Sequence, residues 1–192
     1  MKVMRYELGS GNVALDLAGT VSHRHAEDRH DRLPDPAALA AWTVRTGLVD
    51  QAPPADAAGL AATTELREAV YRLARATLEG RTGETGDREL VNRVAALPPV
   101  RIRLLGGGGL AREGDLTAVR ATVAIAAIEL LGGPDVARLK ACGAHPCSRL
   151  YVDRSRRGDR RWCDMSGCGN RAKAAAYRRR KAAAETGRAV GA

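Results

Sequence analysis

The four cysteines constrain the fold of this chain more than any other feature of its sequence. They are Cys142, Cys147, Cys163 and Cys168, and they form two pairs whose members are separated by four residues. A tetrahedral zinc ion takes four thiolates delivered by two short turns, so this spacing predicts one structural zinc ion. A disulfide pair or unrelated thiols are the alternative, which a reducing compartment disfavours.

The expected compartment follows from length and hydropathy. The chain has 192 residues, of which 45% are hydrophobic, enough for one medium domain and a small module. No stretch approaches the roughly 20 consecutive apolar residues of a membrane span. The first residues also lack the apolar run of a signal peptide. We therefore expect a cytoplasmic protein with no membrane partner.

A histidine near the first cysteine pair leaves a second ligand set open. His145 follows Cys142 at a normal ligand spacing, so three cysteines and His145 could bind the ion instead. Four thiolates in two matched pairs need no further ligand, and we favour the all-cysteine site. A closed site of this kind has no open position for water, which argues against zinc-dependent hydrolysis.

The excess positive charge lies in the same part of the chain as the cysteines. The formal net charge is +9. Residues 149–181, called the basic tail from here on, contain twelve basic and three acidic side chains. The rest of the chain is therefore neutral. A neutral body with a basic tail indicates an anionic polymer as partner, whereas charge alone is equally compatible with a solvated surface.

Apolar periodicity and capping residues predict a mostly helical N-terminal part. The segment 12–17 is predicted as a short strand or the entry to a helix. Predicted helices lie at about 35–47, 64–79, 87–97, 115–131 and 135–141, with Asp35 and Asp87 as caps. Val100, Ile102 and Leu104 alternate with arginines and predict a strand, which Gly106–Gly109 would connect to a returning strand at 110–112. Because no Gly-Lys-Ser/Thr follows these glycines, we favour a hairpin turn over a phosphate-binding loop.

The tail predicts a hairpin between the two cysteine pairs, with strands at 150–152 and 160–162, followed by a helix from Asn170. Tyr151, Trp162 and Tyr177 are predicted to form its small core rather than a base-stacking platform. The predicted fold class is α+β: a mostly helical N-terminal domain with a small β-hairpin, residues 1–137, and a treble-clef- or ribbon-like zinc module, residues 138–192.

The tail resembles the CGNR zinc-finger family, whose name matches Cys168-Gly169-Asn170-Arg171. The positions of Asp153, Ser155, Lys173 and the sequence Arg-Trp-Cys at 161–163 are also similar. The segment 15–20 resembles the ABATE domain that usually precedes this finger, with Gly19 at the position of an asparagine. This resemblance implies a bacterial transcription regulator with a zinc-dependent DNA-binding tail.

The charge pattern and the resemblance together suggest roles for individual residues. The expected partners are DNA, a small-molecule effector bound near Asp16, Thr20 and Arg24, and a second copy of the chain if the target is palindromic. The predicted DNA contacts are Arg156, Arg157, Arg160, Arg161, Arg171, Lys173, Arg178, Arg179, Arg180 and Lys181. An RNA-binding or protein-docking zinc module shares the same charge pattern and remains the alternative.

A third hypothesis places an enzyme in the N-terminal domain. His23, His25 and His30, together with Asp28 and Asp31, could hold a second metal ion. Clusters of this kind in a polar stretch are usually solvated loops, and no companion motif supports catalysis here. We therefore predict no enzymatic activity and no catalytic residue.

Overall fold

The computed structural model describes residues 9–189, and side chains up to residue 181. Its helices are α1 (Val13–Ala18), α2 (Pro36–Arg45), α3 (Ala57–Leu78), α4 (Thr85–Ala95), α5 (Leu116–Gly132) and α6 (Asn170–Ala189). Its strands are β1 (Val21–Ser22), β2 (His30–Asp31), β3 (Arg101–Leu104), β4 (Leu110–Glu113), β5 (Leu139–Ala141) and β6 (Leu150–Val152). They pair as three antiparallel hairpins, β1–β2, β3–β4 and β5–β6. The α+β class with a C-terminal hairpin and helix is thus confirmed.

Aspartate side chains set the starts of the long helices. Asp35 and Asp115 accept the backbone N–H groups of Ala38 and Ala118 at 2.7 and 2.8 Å, as N-caps do. Asp56 caps α3 in the same way, so this helix begins seven residues before the predicted Thr64. The predicted cap at Asp87 is wrong: this residue lies inside the first turn of α4, buried.

Most of the helical domain packs around α5. Its buried residues Val119, Val123 and Ala127 meet apolar side chains of α1, α2, α3 and α4 in one core. The apolar character of α5 on nearly all sides suits this central position. Within residues 9–189, no helix combines the length and hydropathy that a membrane crossing requires.

The C-terminal hairpin differs from the predicted one. Residues 134–138 form a 3₁₀ turn, and Leu139–Ala141 is a strand rather than the end of a helix. This strand pairs with β6, in the register Leu139↔Val152 and Ala141↔Leu150. The predicted strand at 160–162 is an irregular segment instead. The hairpin therefore encloses the first cysteine pair, and it does not lie between the two pairs.

The β5–β6 hairpin shares a core with the helical domain. Leu139, Leu150 and Val152 pack with Tyr71 and Leu130 in a cluster that we call the hairpin core; its other buried members are Leu15, Ala18 and Ala74. The Val152 N–H also donates to the Ser10 carbonyl at 2.6 Å. The tail is thus joined to the helical domain by packing as well as by the chain.

A buried arginine connects α3 to the β1–β2 hairpin. The Arg67 side chain is 1% exposed, and its two terminal nitrogens donate to the Asp31 carboxylate at 2.8 Å each. Its Nε donates to Glu68 at 2.9 Å, and Thr20 Oγ1 lies 3.2 Å from Nη1. Burial raises the pKa of Asp31, but the bonds from Arg67 and from the Leu33 N–H outweigh it and lower this pKa overall.

Replacing Arg67 with alanine is expected to destabilise the helical domain by about 3–5 kcal/mol. The substitution removes the buried guanidinium that Asp31 and Glu68 share: Asp31 loses both of its bonds from Arg67, and Glu68 keeps only its bond from Arg24. Urea unfolding followed by circular dichroism measures the change. Arg81→Ala is the matched control, because the Arg81 side chain is exposed and its loss should change stability little. Equal effects of the two substitutions would contradict this assignment.

Candidate metal centre and basic tail

The four cysteine sulfurs form one compact cluster. All four Sγ atoms lie within 4.8 Å of one another. The Cys147–Cys163 and Cys163–Cys168 sulfurs are 3.8 and 3.6 Å apart, and all four cysteines are free thiols. A tetrahedral zinc ion with Zn–S bonds of about 2.3 Å requires sulfurs about 3.8 Å apart. The cluster therefore fits one zinc ion.

Two backbone turns deliver the two cysteine pairs. Cys142 and Cys147 lie in the loop between β5 and β6, where the Cys142 N–H donates to the Arg149 carbonyl at 2.9 Å. The Gly143 N–H donates to the Arg161 carbonyl at 2.9 Å, which holds this loop against the segment that leads to the second pair. The Cys163 N–H in turn lies 3.4 Å from the Cys142 sulfur.

The closeness of the four thiols requires a cation at their centre if they are to ionise together. Hydrogen bonds with Cys147 and Cys163 lower the pKa of Cys142, and the bond with Cys142 raises the pKa of Cys147 to about 12. Bonds with Cys142 and Cys147 also raise the pKa of Cys163. Four thiols this close cannot all ionise unless a positive ion compensates their charge, and zinc supplies that charge when bound.

His145 is not part of the cluster. Its side chain is exposed, and the grouped donor atoms in the described part of the chain are the four cysteine sulfurs. Among the described residues, His23, His25 and His30 do not come together with Asp28 and Asp31 in such a group of donor atoms. His23 instead contacts Asp28 at 2.7 Å, and Asp31 is bound by Arg67.

Strand β6 separates the cysteine cluster from the helical domain. Because side chains alternate along a strand, Leu150 and Val152 enter the hairpin core, while Tyr151 packs beside Cys163 and Cys168. All three β6 side chains are buried. Burial raises the pKa of Tyr151 to about 12, so its hydroxyl stays protonated and donates to the Arg160 carbonyl at 2.6 Å.

Asp153 organises the segment after β6. Its carboxylate accepts from the Lys140 ammonium at 2.7 Å, the Ser155 hydroxyl at 2.6 Å and the Arg160 N–H at 2.9 Å. Its own N–H donates to the Arg138 carbonyl at 2.8 Å. Lys140 and then Ser155 hold the pKa of Asp153 well below its usual range. This buried aspartate thereby ties the loop after β6 to β5.

The Cys-Gly-Asn-Arg sequence builds the turn around the fourth cysteine. A π-helical turn spans Met165–Gly169, and the Gly169 N–H closes it on the Asp164 carbonyl at 2.9 Å. The Asn170 amide donates to the Ser166 carbonyl at 3.1 Å. Arg171 Nη2 lies 3.0 Å from the Cys168 sulfur. Each residue of this sequence therefore supports the metal centre.

Arg171→Ala is expected to weaken zinc binding about 10–100-fold. The guanidinium donates to the Cys168 sulfur, and losing such a partner behind a ligand typically costs that much affinity. Competition with a chromogenic chelator measures the zinc dissociation constant. Lys173→Ala removes an equal charge two residues away, without a contact to a cysteine sulfur, and should leave the constant unchanged. A parallel loss in both variants would mean that charge alone, and not this bond, matters.

The structure divides the predicted DNA contacts into two groups. Arg160 is half-buried: its guanidinium donates to the carbonyls of Trp162 and Cys163, and lies 4.6 Å from the Tyr151 ring centre. The other nine side chains are exposed; they are Arg156, Arg157, Arg161, Arg171, Lys173, Arg178, Arg179, Arg180 and Lys181. Arg160 therefore supports the module from within. Among the nine exposed side chains, Arg171 also contacts the Cys168 sulfur.

The aromatic residues of the tail also divide. Tyr151 is fully buried, and Trp162 packs against the cysteine cluster, as expected for a small core. Tyr177 is 62% exposed, so the prediction that it joins this core is wrong. The apolar stripe of the tail helix consists of alanines, which offer too little surface to draw a tyrosine ring inward.

The predicted effector residues lie where the helical domain meets the tail. Asp16 and Thr20 are buried. Asp16 accepts from the Ser10 hydroxyl at 2.6 Å, and Thr20 donates to the Leu17 carbonyl at 2.7 Å. Burial raises the pKa of Asp16, against the lowering effects of Ser10 and Arg149. Both side chains are therefore satisfied within the chain.

Arg24 connects α3 to the loop of the first cysteine pair. Its side chain donates to Glu68 and lies 4.1 Å above the ring of Tyr71, while its N–H donates to the Ser148 hydroxyl at 3.1 Å. Its Nε is buried without a partner in the described structure. Gly19 lies close by; a β-carbon there would sit 3.0 Å from the Arg149 guanidinium. Glycine thus leaves space for Arg149 at this junction.

Known protein families account for both parts of the chain. Residues 11–134 match the ABATE family, described as "Putative stress-induced transcription regulator", and residues 138–181 match the CGNR zinc finger. Neither is an enzyme family. No curated protein matches the chain. Because the first match covers more than half of its residues, the chain belongs to the ABATE family and carries a CGNR zinc finger after that domain.

Proposed function

We propose that this protein is a cytoplasmic transcription regulator whose basic tail binds duplex DNA. Cys142, Cys147, Cys163 and Cys168 hold the zinc ion that folds the tail, and exposed arginines on the loop and on α6 bind phosphates. The observation that carries the proposal is that the whole net charge of the chain lies on this one metal-folded segment.

Exposed arginines on two parts of the tail are the proposed phosphate contacts. In the described structure, Arg156 and Arg157 on the loop, and Arg178, Arg179 and Arg180 on α6, have no carboxylate partner. Cations left unpaired in this way are available to phosphates. Arg160 is excluded from the proposed contacts because it binds backbone carbonyls. A buried zinc centre between loop and helix fixes both groups relative to each other.

The helical domain, residues 1–137, is proposed as the sensing part, and residues 138–192 as the binding part. The hairpin core and the bond from Arg24 to Ser148 join the two parts directly. A small molecule that displaces Arg24 would therefore act on the loop that holds Cys147. Asp16 and Thr20, which are buried in the same region, would form the floor of that site.

Fluorescence anisotropy with a labelled mixed-sequence DNA duplex tests the proposal. The zinc-loaded protein is expected to bind the duplex, and unlabelled duplex DNA is expected to compete better than structured RNA at the same salt concentration. Preferential competition by RNA would replace DNA with RNA as the partner. Absence of binding to both polymers at low salt would leave a protein-docking surface and would reject the proposed function.

A further inference from the structure

The β3–β4 hairpin exposes a concentrated apolar surface. Ile102 is 64% exposed and Leu104 is 86% exposed, and Leu105 and Leu110 are also exposed. The register pairs Leu104 with Leu110 and Ile102 with Arg112, so Ile102, Leu104 and Leu110 share one face of the hairpin. The contact of such large aliphatic groups with water is unfavourable, and a contiguous patch of them usually marks an interaction site.

The turn of this hairpin needs no bound phosphate, and two of its arginines are bound to a glutamate of the same hairpin. Gly107, Gly108 and Gly109 have positive φ angles of 88–92°, which explains a glycine-rich turn without a phosphate. On the opposite face, Arg101 and Arg103 each donate to Glu113 at 2.7 Å. Glu113 therefore offsets part of the charge of these two arginines, and the excess positive charge of the chain lies in the basic tail instead.

One edge of the hairpin is also unpaired. The Leu105 N–H bonds to the Gly109 carbonyl, so these two residues form a hydrogen-bonded pair within the hairpin. Hydrogen-bonded and non-hydrogen-bonded pairs alternate along an antiparallel ladder. The backbone N–H and carbonyl groups of Ile102, Leu104 and Arg112 therefore point outward, away from the hairpin. Arg112 uses its outward groups on Asp50: its N–H donates to the carboxylate at 2.8 Å, and its carbonyl accepts the Asp50 N–H at 3.0 Å. Within residues 9–189, nothing pairs with the outward groups of Ile102 and Leu104.

We infer that this protein forms a dimer through β3, and that the strand that pairs with β3 is the same strand of a second copy. An unpaired strand edge binds another extended strand, and a strand that runs antiparallel to its own copy complements itself about a two-fold axis. A two-fold axis through Arg103 pairs Ile102 with the partner's Leu104. The outward N–H and carbonyl groups of both residues are then hydrogen-bonded to the other copy. This pairing joins two hairpins into one four-stranded sheet with a continuous apolar face.

The charges at this axis permit the pairing. Arg103 would face the partner's Arg103, which is unfavourable for two bare cations, but each guanidinium is already bound to Glu113 of its own chain. One strand edge and four aliphatic side chains make a small interface, below about 1,200 Å² in total. The dimer is therefore expected to form in a concentration-dependent way. This inference does not depend on DNA binding.

Sedimentation velocity over a concentration series tests the interface. The wild-type protein is expected to shift from monomer to dimer, and Leu104→Glu is expected to raise the dimer dissociation constant at least about tenfold, because each dimer would place two carboxylates directly beside the apolar Ile102 side chains of the two copies. Val44→Glu is the matched control, since Val44 is an exposed aliphatic residue on α2 and should have no effect. A wild-type protein that stays monomeric throughout, or equal effects of the two variants, would overturn the inference.

Crosslinking tests the position of the axis independently. In the proposed register, the Cα atoms at position 103 of the two copies lie about 4.5 Å apart, within the range of a disulfide. Arg103→Cys is therefore expected to form a covalent dimer under mild oxidation. Arg101→Cys lies two residues from the axis, beyond the roughly 7 Å that a disulfide can bridge, and should stay monomeric. Equal crosslinking of both variants, or crosslinking of Arg101→Cys alone, would contradict the register.

Discussion

Cys163→Ser is expected to remove the zinc ion and to destabilise the helical domain as well as the tail. A structural zinc site supplies about 10–16 kcal/mol of apparent binding energy, so the tail should unfold without it. The unfolded tail would withdraw Leu139, Leu150 and Val152 from the hairpin core. At about 1.5–3 kcal/mol for each buried aliphatic side chain, the helical domain should lose roughly 5 kcal/mol.

Tryptophan fluorescence can separate the two effects, because the chain has two tryptophans in different cores. Trp42 lies on α2 and is buried in the core of the helical domain, whereas Trp162 packs beside the cysteines. In a Trp162→Phe background, urea unfolding monitored by fluorescence reports on Trp42 alone. We expect its midpoint to fall when Cys163→Ser is added, and to fall equally when a chelator removes zinc from the parent.

A histidine variant provides the control for this experiment. His145→Ala changes an exposed residue in the same loop, and it should retain one zinc ion per chain and the full midpoint. An unchanged Trp42 midpoint in Cys163→Ser would show that the helical domain folds independently of the tail. Loss of zinc from His145→Ala would contradict the all-cysteine site.

Local patterns in the sequence were sufficient where a feature depends on neighbouring residues. Asp35 with Pro36, and the alternation around Ile102, predicted α2 and the β3–β4 hairpin correctly because caps and turns are local interactions. The spacing of the cysteines likewise predicted the cluster, since a zinc site restricts which spacings can close around it. The start of α3 was missed because its first turn is rich in alanine and glycine and lacks a periodic apolar pattern.

Features that depend on distant partners could not be read from the sequence. Leu139–Ala141 is too short for its periodicity to distinguish a helix from a strand, and its pairing with β6 decides the outcome. The inward orientation of Arg160 depends on the Trp162 and Cys163 carbonyls, which no spacing rule reveals. Charge therefore located the surface proposed to bind DNA but did not separate its supporting residues from its exposed ones.

The affinity of the zinc-loaded protein for duplex DNA is expected to fall about a thousandfold between 50 and 200 mM salt. Contacts with about six phosphates release the counterions bound there, so log K should decrease against log salt with a slope of roughly −5. The exposed arginines and lysines of the basic tail are numerous enough to make these contacts. Anisotropy titrations at several salt concentrations give the slope directly.

Substitution of three arginines on α6 tests which surface produces this slope. Replacing Arg178, Arg179 and Arg180 with glutamine should reduce the slope by about three, at roughly 0.9 for each lost phosphate contact. Glutamine at Arg81, Arg88 and Arg93 removes the same charge from exposed positions on the helical domain, and it should leave the slope nearly unchanged. The slope is a better measure than affinity alone, because it counts phosphate contacts and does not respond to a general loss of stability. If both triple variants changed the slope equally, net charge and not the tail helix would govern binding, and α6 would lose its proposed role.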